Sequence, residues 1–366
     1  MTVEGALRNT TVFRSVSLLS NSIAMLPLHL FEAGTARRKA DAHPLFRVLH
    51  RRPNDWQTAF EFRQLMQAWA LLYGNAYALK IMRGDRVVGL APMDPRRVEV
   101  RQGADMSLHY TFCAARGGQK DLAAHEVFHL RGFTLDGLRG LSLVRQAADA
   151  IGLAASAQTA AARLYRSGMM AGGAIEMPDG QLLSQEAYER LQDSMADREG
   201  AENAGRWIVL EQGAKAKTFS DSASDNQHLE NRRLQIEEIA RVFGIPRPLL
   251  MIDDTSWGSG IDVLGQLFVR YGLNPWFQAW EQAITRDLLS ERDAERYYPK
   301  FNAGGLLRGS MKDQAEFFAK ALGAGGHHPW MHPQEARDWL ELPPRDDLPP
   351  SMAAAKGARH DDQTSA

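Results

Sequence analysis

An α+β fold is predicted, and three observations predict it. Long helical periodicities open and close the chain, short alternating segments cluster between residues 75 and 130, and a second small strand-and-helix group lies between two long helices. The first periodicity is Val12, Val16, Leu19 and Ile23, one face of a helix that Pro27 ends. A polar stretch over residues 33–42 separates it from a second helix at 59–72, with Phe62, Leu65, Trp69 and Leu72 on one face. Gly74 marks a change of regime. Tyr77, Leu79 and Ile81 alternate, Gly84-Asp85 turns the chain, and Val87 to Leu90 returns as the second arm of a β-hairpin. Residues 98–100, 109–112 and 126–130 read as further strands.

A long alanine-rich helix is expected over 142–167, between Gly140 and Gly168, with a span of roughly 40 Å at 1.5 Å per residue. Residues 168–221 look like a separate insert. It has a strand at 174–177 and a helix at 184–197 that Ser184 caps and whose face carries Tyr188, Leu191 and Met195. Strands follow at 207–210 and 216–219 around Gln212-Gly213. The insert carries ten acidic residues against five basic ones. A helix over 224–243 carries Leu229, Arg233, Ile236 and Ile239-Ala240; Gly244, Pro246 and Pro248 end it. The loop 250–261 leads into a helix at 262–289 that Pro275 should kink. Two shorter helices are expected at 311–322 and 333–340, and beyond Pro343-Pro344 the chain turns polar and is expected to be disordered.

Composition narrows the function. The 366 residues are 44% hydrophobic and 24% charged, ordinary values for a globular protein of two or three sub-domains. A formal net charge of −1 supplies no global field to attract nucleic acid. The single cysteine, Cys113, rules out an intrachain disulfide framework. Met1 to Arg14 lacks the apolar run of a signal peptide, and no stretch reaches the ~18 apolar residues of a membrane span. Neither a G-x-x-x-x-G-K-[ST] phosphate loop nor H-E-x-x-H or G-x-S-x-G occurs. His327-His328 and His332 lack cysteine or carboxylate partners at ligand spacing, and His125 and His129 fall in a strand region; all read as loop, surface or core histidines.

Short motifs run in order along most of the chain. They are Val12–Val16 with Leu26-Pro27-Leu28, His43-Pro44-Leu45 through Pro53-Asn54, and Leu72-Tyr73-Gly74-Asn75-Ala76-Tyr77. Next come Leu90-Ala91-Pro92-Met93 with Arg97-Val98, Gly137 to Ser142, IEEIARVFGIPRP over 236–248, Leu273-Asn274-Pro275-Trp276, and Trp330 to Pro344. In this order the sequence resembles the portal proteins of tailed bacteriophages, over roughly residues 8–345. Two departures stand out. The lead before the first helix is short, and the loop carries Trp257-Gly258-Ser259-Gly260-Ile261 where relatives have a Thr/Ser-Asn-Ile/Val-Glu run.

The resemblance implies a portal fold. Residues 1–140 would be the wing, 141–167 and 222–245 the two stem helices, and 168–221 a small α/β clip. Residues 246–262 would be the tunnel loop, 263–300 a wing helix and its return, 301–345 a helical crown, and 346–366 a disordered tail. It also implies a non-enzymatic ring, usually of twelve subunits, at one capsid vertex of a virion, assembled in the bacterial cytoplasm. Double-stranded DNA passes through it without sequence specificity, and the large terminase, a head-completion adaptor and the major capsid protein dock on it. No catalytic residue, metal or cofactor is implied.

Two sets of residues carry that expectation. Ala147, Ala150, Ala154, Ala157 and Ala161 would pack stem helices closely. Asp253, Asp254, Thr255, Ser256, Trp257 and Ser259 would line the channel, the two acids keeping phosphate from sticking. For the acids a simple solvated face is the alternative, and for Trp257 a packing anchor. An intracellular enzyme with a scattered site and a different head-to-tail connector remain the competing functions; the long helix–insert–helix segment disfavours the connector.

Overall fold

The computed structural model describes residues 1–34, 38–114, 117–167, 173–177, 184–196, 215–218, 222–251, 261–303, 311–326, 328–340, 342 and 345. The chain divides into two compact units, one of Met1–Trp257 with Leu267–Asn302, the other of Gly258–Gln266 with Ala303–Ala366.

The larger unit is built on two three-stranded antiparallel sheets. The first has the order β3-β2-β7, with β2 Asn75–Arg83, β3 Arg86–Met93 and β7 Val127–Arg131. The second has the order β4-β5-β6, with β4 Val98–Gln102, β5 Leu108–Cys113 and β6 Gln119–Ala123. The period-2 alternation that predicts these strands also points one side chain in two inward, and Tyr77, Met93, Val100, Tyr110, Leu122 and Val127 form one buried cluster. A two-stranded sheet pairs β1 Leu28–Glu32 with β10 Tyr297–Phe301.

Three helices pack on this framework: α2 Thr10–Met25, after a short α1 Val3–Leu7; α4 Ala59–Tyr73, after α3 Pro44–His50; and α10 Asn274–Leu288. Asn9 caps α2, and Thr58 with Glu61 forms a capping box on α4. Trp280 is fully buried; its indole Nε1–H donates to Gln67 Oε1 at 2.8 Å. Arg63 is buried without a carboxylate: its guanidinium donates to the carbonyls of Leu49 (2.9 Å) and Ala24 (2.8 Å), near the ends of α3 and α2. Burial pulls its pKa down to about 10. The favourable end of two helix dipoles and two charge-assisted bonds offset that desolvation.

Several expectations need correction. The buried face of α4 runs through Phe62, Arg63, Met66, Gln67, Ala70 and Leu71, not through Leu65 and Trp69, because two polar side chains hydrogen-bond inside the core. The long alanine helix is interrupted at Ala147, giving α5 Leu143–Gln146 and α6 Ala148–Ser167. On α7 Gln185–Ala196, Ala187 is buried and Tyr188 exposed, although Ser184 caps it as expected. After α8 Ser222–Phe243 and α9 Ile261–Leu267, the irregularity expected at Pro275 lies just ahead of it, as a π-helix at Phe268–Leu273. Proline gives no N–H and crowds the carbonyl four residues back, and a widened turn relieves both. The strands β1, β6 and β10, and the helices α1, α3 and α11 Glu291–Ala294, were not expected: each is only four to seven residues long.

In the insert, β8 Gly173–Glu176 pairs with β9 Lys215–Thr218; the expected strand at 207–210 and turn at 212–213 lie outside the described residues. The smaller unit contains α12 Met311–Ala321 and α13 Pro333–Trp339.

Candidate functional site

The sequence places its assembly residues on the segment from Gly140 to Phe243. There α6 and α8 pack against each other. From Ala150 to Ala162 no residue is charged, yet residues 155–160 are all exposed. Of the five alanines expected to pack helices, Ala147 is buried, Ala150, Ala154 and Ala161 are half-buried, and Ala157 is exposed. Leu153 and, on α8, Leu234 are exposed apolar side chains on the same pair. Of the six exposed residues 155–160, three are alanine and three are polar, Ser156, Gln158 and Thr159, so this stretch is small and uncharged but not an apolar patch.

This arm is rooted in a joint that two separate motifs build together. Gly74 ends α4 in the left-handed region, at φ 82°. A Cβ on Gly140 would sit 2.0 Å from the Gly74 carbonyl oxygen, so the two backbones cross in contact only because both are glycine. Asn75 Oδ1 accepts from Gly140 N (2.9 Å), which fixes that atom as the oxygen; its Nδ2 donates to the carbonyls of Gly140 (3.2 Å) and Tyr73 (3.3 Å). Ser142 caps α5 by accepting from Arg145 N and donates its hydroxyl to the Leu72 carbonyl.

His129 on β7 extends the joint. Its Nε2 lies 3.0 Å from Asn75 Oδ1, an acceptor, so Nε2 carries the proton and Nδ1 accepts from the Tyr110 hydroxyl at 3.2 Å. Burial first, then the nearby Arg131 and Arg286, push its pKa well below the ordinary histidine value. Arg286 and Asp287 clamp α10 to the same strand: Arg286 donates to the His129 carbonyl, and Asp287 accepts from His129 N.

Two further joints have the same form. Pro53-Asn54 holds strand β3, since Leu90 N donates to the Pro53 carbonyl (2.8 Å) and Asn54 Nδ2 to the Leu90 carbonyl (2.9 Å). At the end of α8, Gly244 (φ 67°) and Ile245 donate back to the carbonyls of Arg241 and Ala240, a Schellman turn. Its Gly244 carbonyl lies 3.1 Å from where a Cβ on Gly272 of the π-helix would be.

Asp253, Asp254, Thr255, Ser256, Trp257 and Ser259 lie outside the described residues. His332 caps α13 by accepting from Gln334 N, and His125 is exposed on a short 3-10 turn. Sequence reasoning missed the roles of Asn75, His129 and Arg63. Asn75 carried a signal, a polar residue right after a helix-ending glycine, but its partner is 65 residues away.

What these residues build is structural: backbone joints that fix α5 and the segment beyond it to the sheets, with no cluster of metal-ligating side chains among the described residues. A sequence profile described as phage portal protein matches residues 10–341. The portal protein of Enterobacteria phage HK97 is 33% identical over 332 residues, covering 88% of this chain and 77% of that one. Among solved structures, a chain from the neck of an empty gene transfer agent particle, computed with C6 symmetry, superposes with a TM-score of 0.69 at 26% identity, covering 94% of each chain. A chain from the neck of the native particle, computed with C12 symmetry, gives 0.65 at 25% identity over 93% of this chain and 92% of that one. The chain belongs to the phage portal protein family.

Proposed function

We propose that this chain is the ring-forming head–tail connector of a phage or gene transfer particle, set at one capsid vertex, through which double-stranded DNA is packaged and ejected. The observation that carries the reading is the near-complete match to the family; the contact between α6 and α8, and the uncharged run Ala150–Ala162 on α6, fit it. The role is mechanical and not catalytic. Twelve copies are favoured by the C12 neck of the gene transfer agent relative. A heterologous ring needs one surface of each subunit to fit a different surface of the next.

On this reading residues 1–140 and 263–300 form the wing, and 141–167 with 222–245 the stem; 168–221 form the clip, 246–262 the tunnel loop and 301–345 the crown. The stem alanines Ala147, Ala150, Ala154, Ala157 and Ala161 pack between neighbouring copies. The clip receives the large terminase and then the head-completion adaptor, and the wing meets the capsid shell. DNA passes without sequence readout. The 43 basic residues are matched by 44 acidic ones, a net charge of −1, and the acids Asp253 and Asp254 add no cation that would hold phosphates.

Negative-stain imaging of the purified protein tests the ring: large annular particles with a central hole are expected, and a monodisperse monomer would refute it. Packaging by Asp253→Lys/Asp254→Lys particles tests the channel charge. Reduced DNA content is expected; undiminished packaging would refute the role of the acids.

A further inference from the structure

The segment between β7 and α5 is short, yet it is fully organised. Asp136 Oδ1 accepts from three donors: the backbone N–H of Leu138 (2.7 Å) and Arg139 (2.8 Å), and the Thr134 hydroxyl (2.9 Å). The Thr134 hydroxyl in turn accepts from Gly137 N at 2.9 Å. Those hydrogen bonds, from Arg139, Leu138 and Thr134 in that order of effect, hold the Asp136 carboxyl down at about 2. Leu141 N donates to the Phe133 carbonyl, and Thr134 bridges Gly140.

The two flanking cations are drawn back onto their own subunit. Arg131 donates to the Gly137 carbonyl and Arg139 to the Val100 carbonyl. Two large apolar side chains protrude, Phe133 at 73% exposed and Leu135 at 78%, beside the exposed Asp136 and Arg139. A floppy loop could fold such side chains under. This one cannot, because its backbone is fixed at both ends and caged in the middle.

We infer that Phe133 and Leu135 form a preformed knob that inserts into the neighbouring copy of this chain in the ring. The inference rests on the ring reading and adds a contact to it. The occupant is a second copy because a ring sets a neighbour against one side of every subunit, and the segment that carries the knob leads directly into α5 and α6, whose run Ala150–Ala162 is uncharged and solvent-facing over residues 155–160. A heterologous ring joins unlike surfaces, so the surface receiving the knob differs from the knob itself. Two exposed large apolar side chains on a rigid loop have the make-up of an interface anchor.

The test uses the full-length protein. Phe133→Ser/Leu135→Ser should keep the circular dichroism of wild type, since both side chains face solvent within the subunit, while the ring fraction in native mass spectrometry falls about tenfold or more. Asp136→Ala keeps both apolar side chains but removes the cage, and a smaller loss of rings is expected. A photo-crosslinking residue at 135 should give covalent dimers whose linked peptide lies outside residues 132–140.

Rings formed equally by wild type and the double variant would sink the knob alone. Absence of rings from wild type would sink the ring reading with it. Normal rings that no longer attach to capsid shells would assign the knob to the shell and overturn the inference. Crosslinks within 132–140 would show a symmetric contact and do the same.

Discussion

Asn75 holds the arm to the body, and its replacement measures that joint. It makes four hydrogen bonds: it accepts from Gly140 N and His129 Nε2, and donates to the carbonyls of Gly140 and Tyr73. Asn75→Ala leaves two buried donors without an acceptor. At ~1–3 kcal/mol for each orphaned donor, and less for carbonyls that keep other partners, a loss of about 3 kcal/mol follows. Asn75→Asp is nearly the same shape but should cost more, about 4 kcal/mol. It keeps the acceptor, yet it sets a second carboxylate oxygen against two carbonyl oxygens in a buried site, where the acid must either hold a charge or take up a proton. Equilibrium urea unfolding followed by circular dichroism reads both values. An Asn75→Asp protein as stable as wild type, or more stable than Asn75→Ala, would refute the assignment of oxygen and nitrogen in this joint and the geometry built on it.

Three other outcomes follow from the same core. His129 has a depressed folded pKa, so the unfolded chain binds the proton first, and its contribution is intact above about pH 6.5 and lost as pH falls below that value. His43 and His50 shift the same way, so the thermal midpoint should drop between about pH 7.5 and pH 5.5, with a flatter slope in His129→Phe; an unchanged slope counts against His129 as the main contributor. Gly140→Ala should cost more than ~4 kcal/mol or prevent folding, because the new Cβ meets the Gly74 carbonyl, whereas Gly152→Ala, with nothing within 4 Å, should stabilise by ~0.5–1 kcal/mol; thermal unfolding compares the two. Arg63→Met should cost about 2 kcal/mol, the loss of two charge-assisted bonds being partly offset by relief of a buried charge; a stabilised variant in urea unfolding would refute that balance.

Element type was legible wherever period and length agreed. The hairpin of β2 and β3, the helix α4 and the helix α8 with its Gly244 stop follow from apolar spacing and turn chemistry that act locally. What was not legible is long-range. Arg63 and Gln67 look like surface residues of an amphipathic helix, and only the carbonyls of Ala24 and Leu49 and the indole of Trp280 turn them inward. The strand β6, reading Gln119-Lys120-Asp121-Leu122-Ala123, has one buried apolar residue and is recruited by β5, not by its own pattern. The motifs were visible as motifs, but their meaning was not. Each was read alone, whereas in space Pro53-Asn54 serves Leu90, Leu72 to Asn75 serves Gly140 to Ser142, and the Gly244 turn serves Gly272.

That pairing bears on how a closed ring can be specified. Closure requires every interface to repeat one rotation, so a subunit with a loose arm would allow many rings and many open chains. At the crossing of Gly74 and Gly140 no side chain intervenes, and Asn75 ties the crossing to His129 and so to β7. Asp287 and Arg286 then tie β7 to α10. Sheet, helix α10 and the start of α5 are therefore tied into one body, because any hinge at Gly140 must first break the Asn75 hydrogen bonds and leave buried groups unpaired. The direction in which α5 leaves the body is set within each subunit before a neighbour arrives. The neighbour has only to fit it.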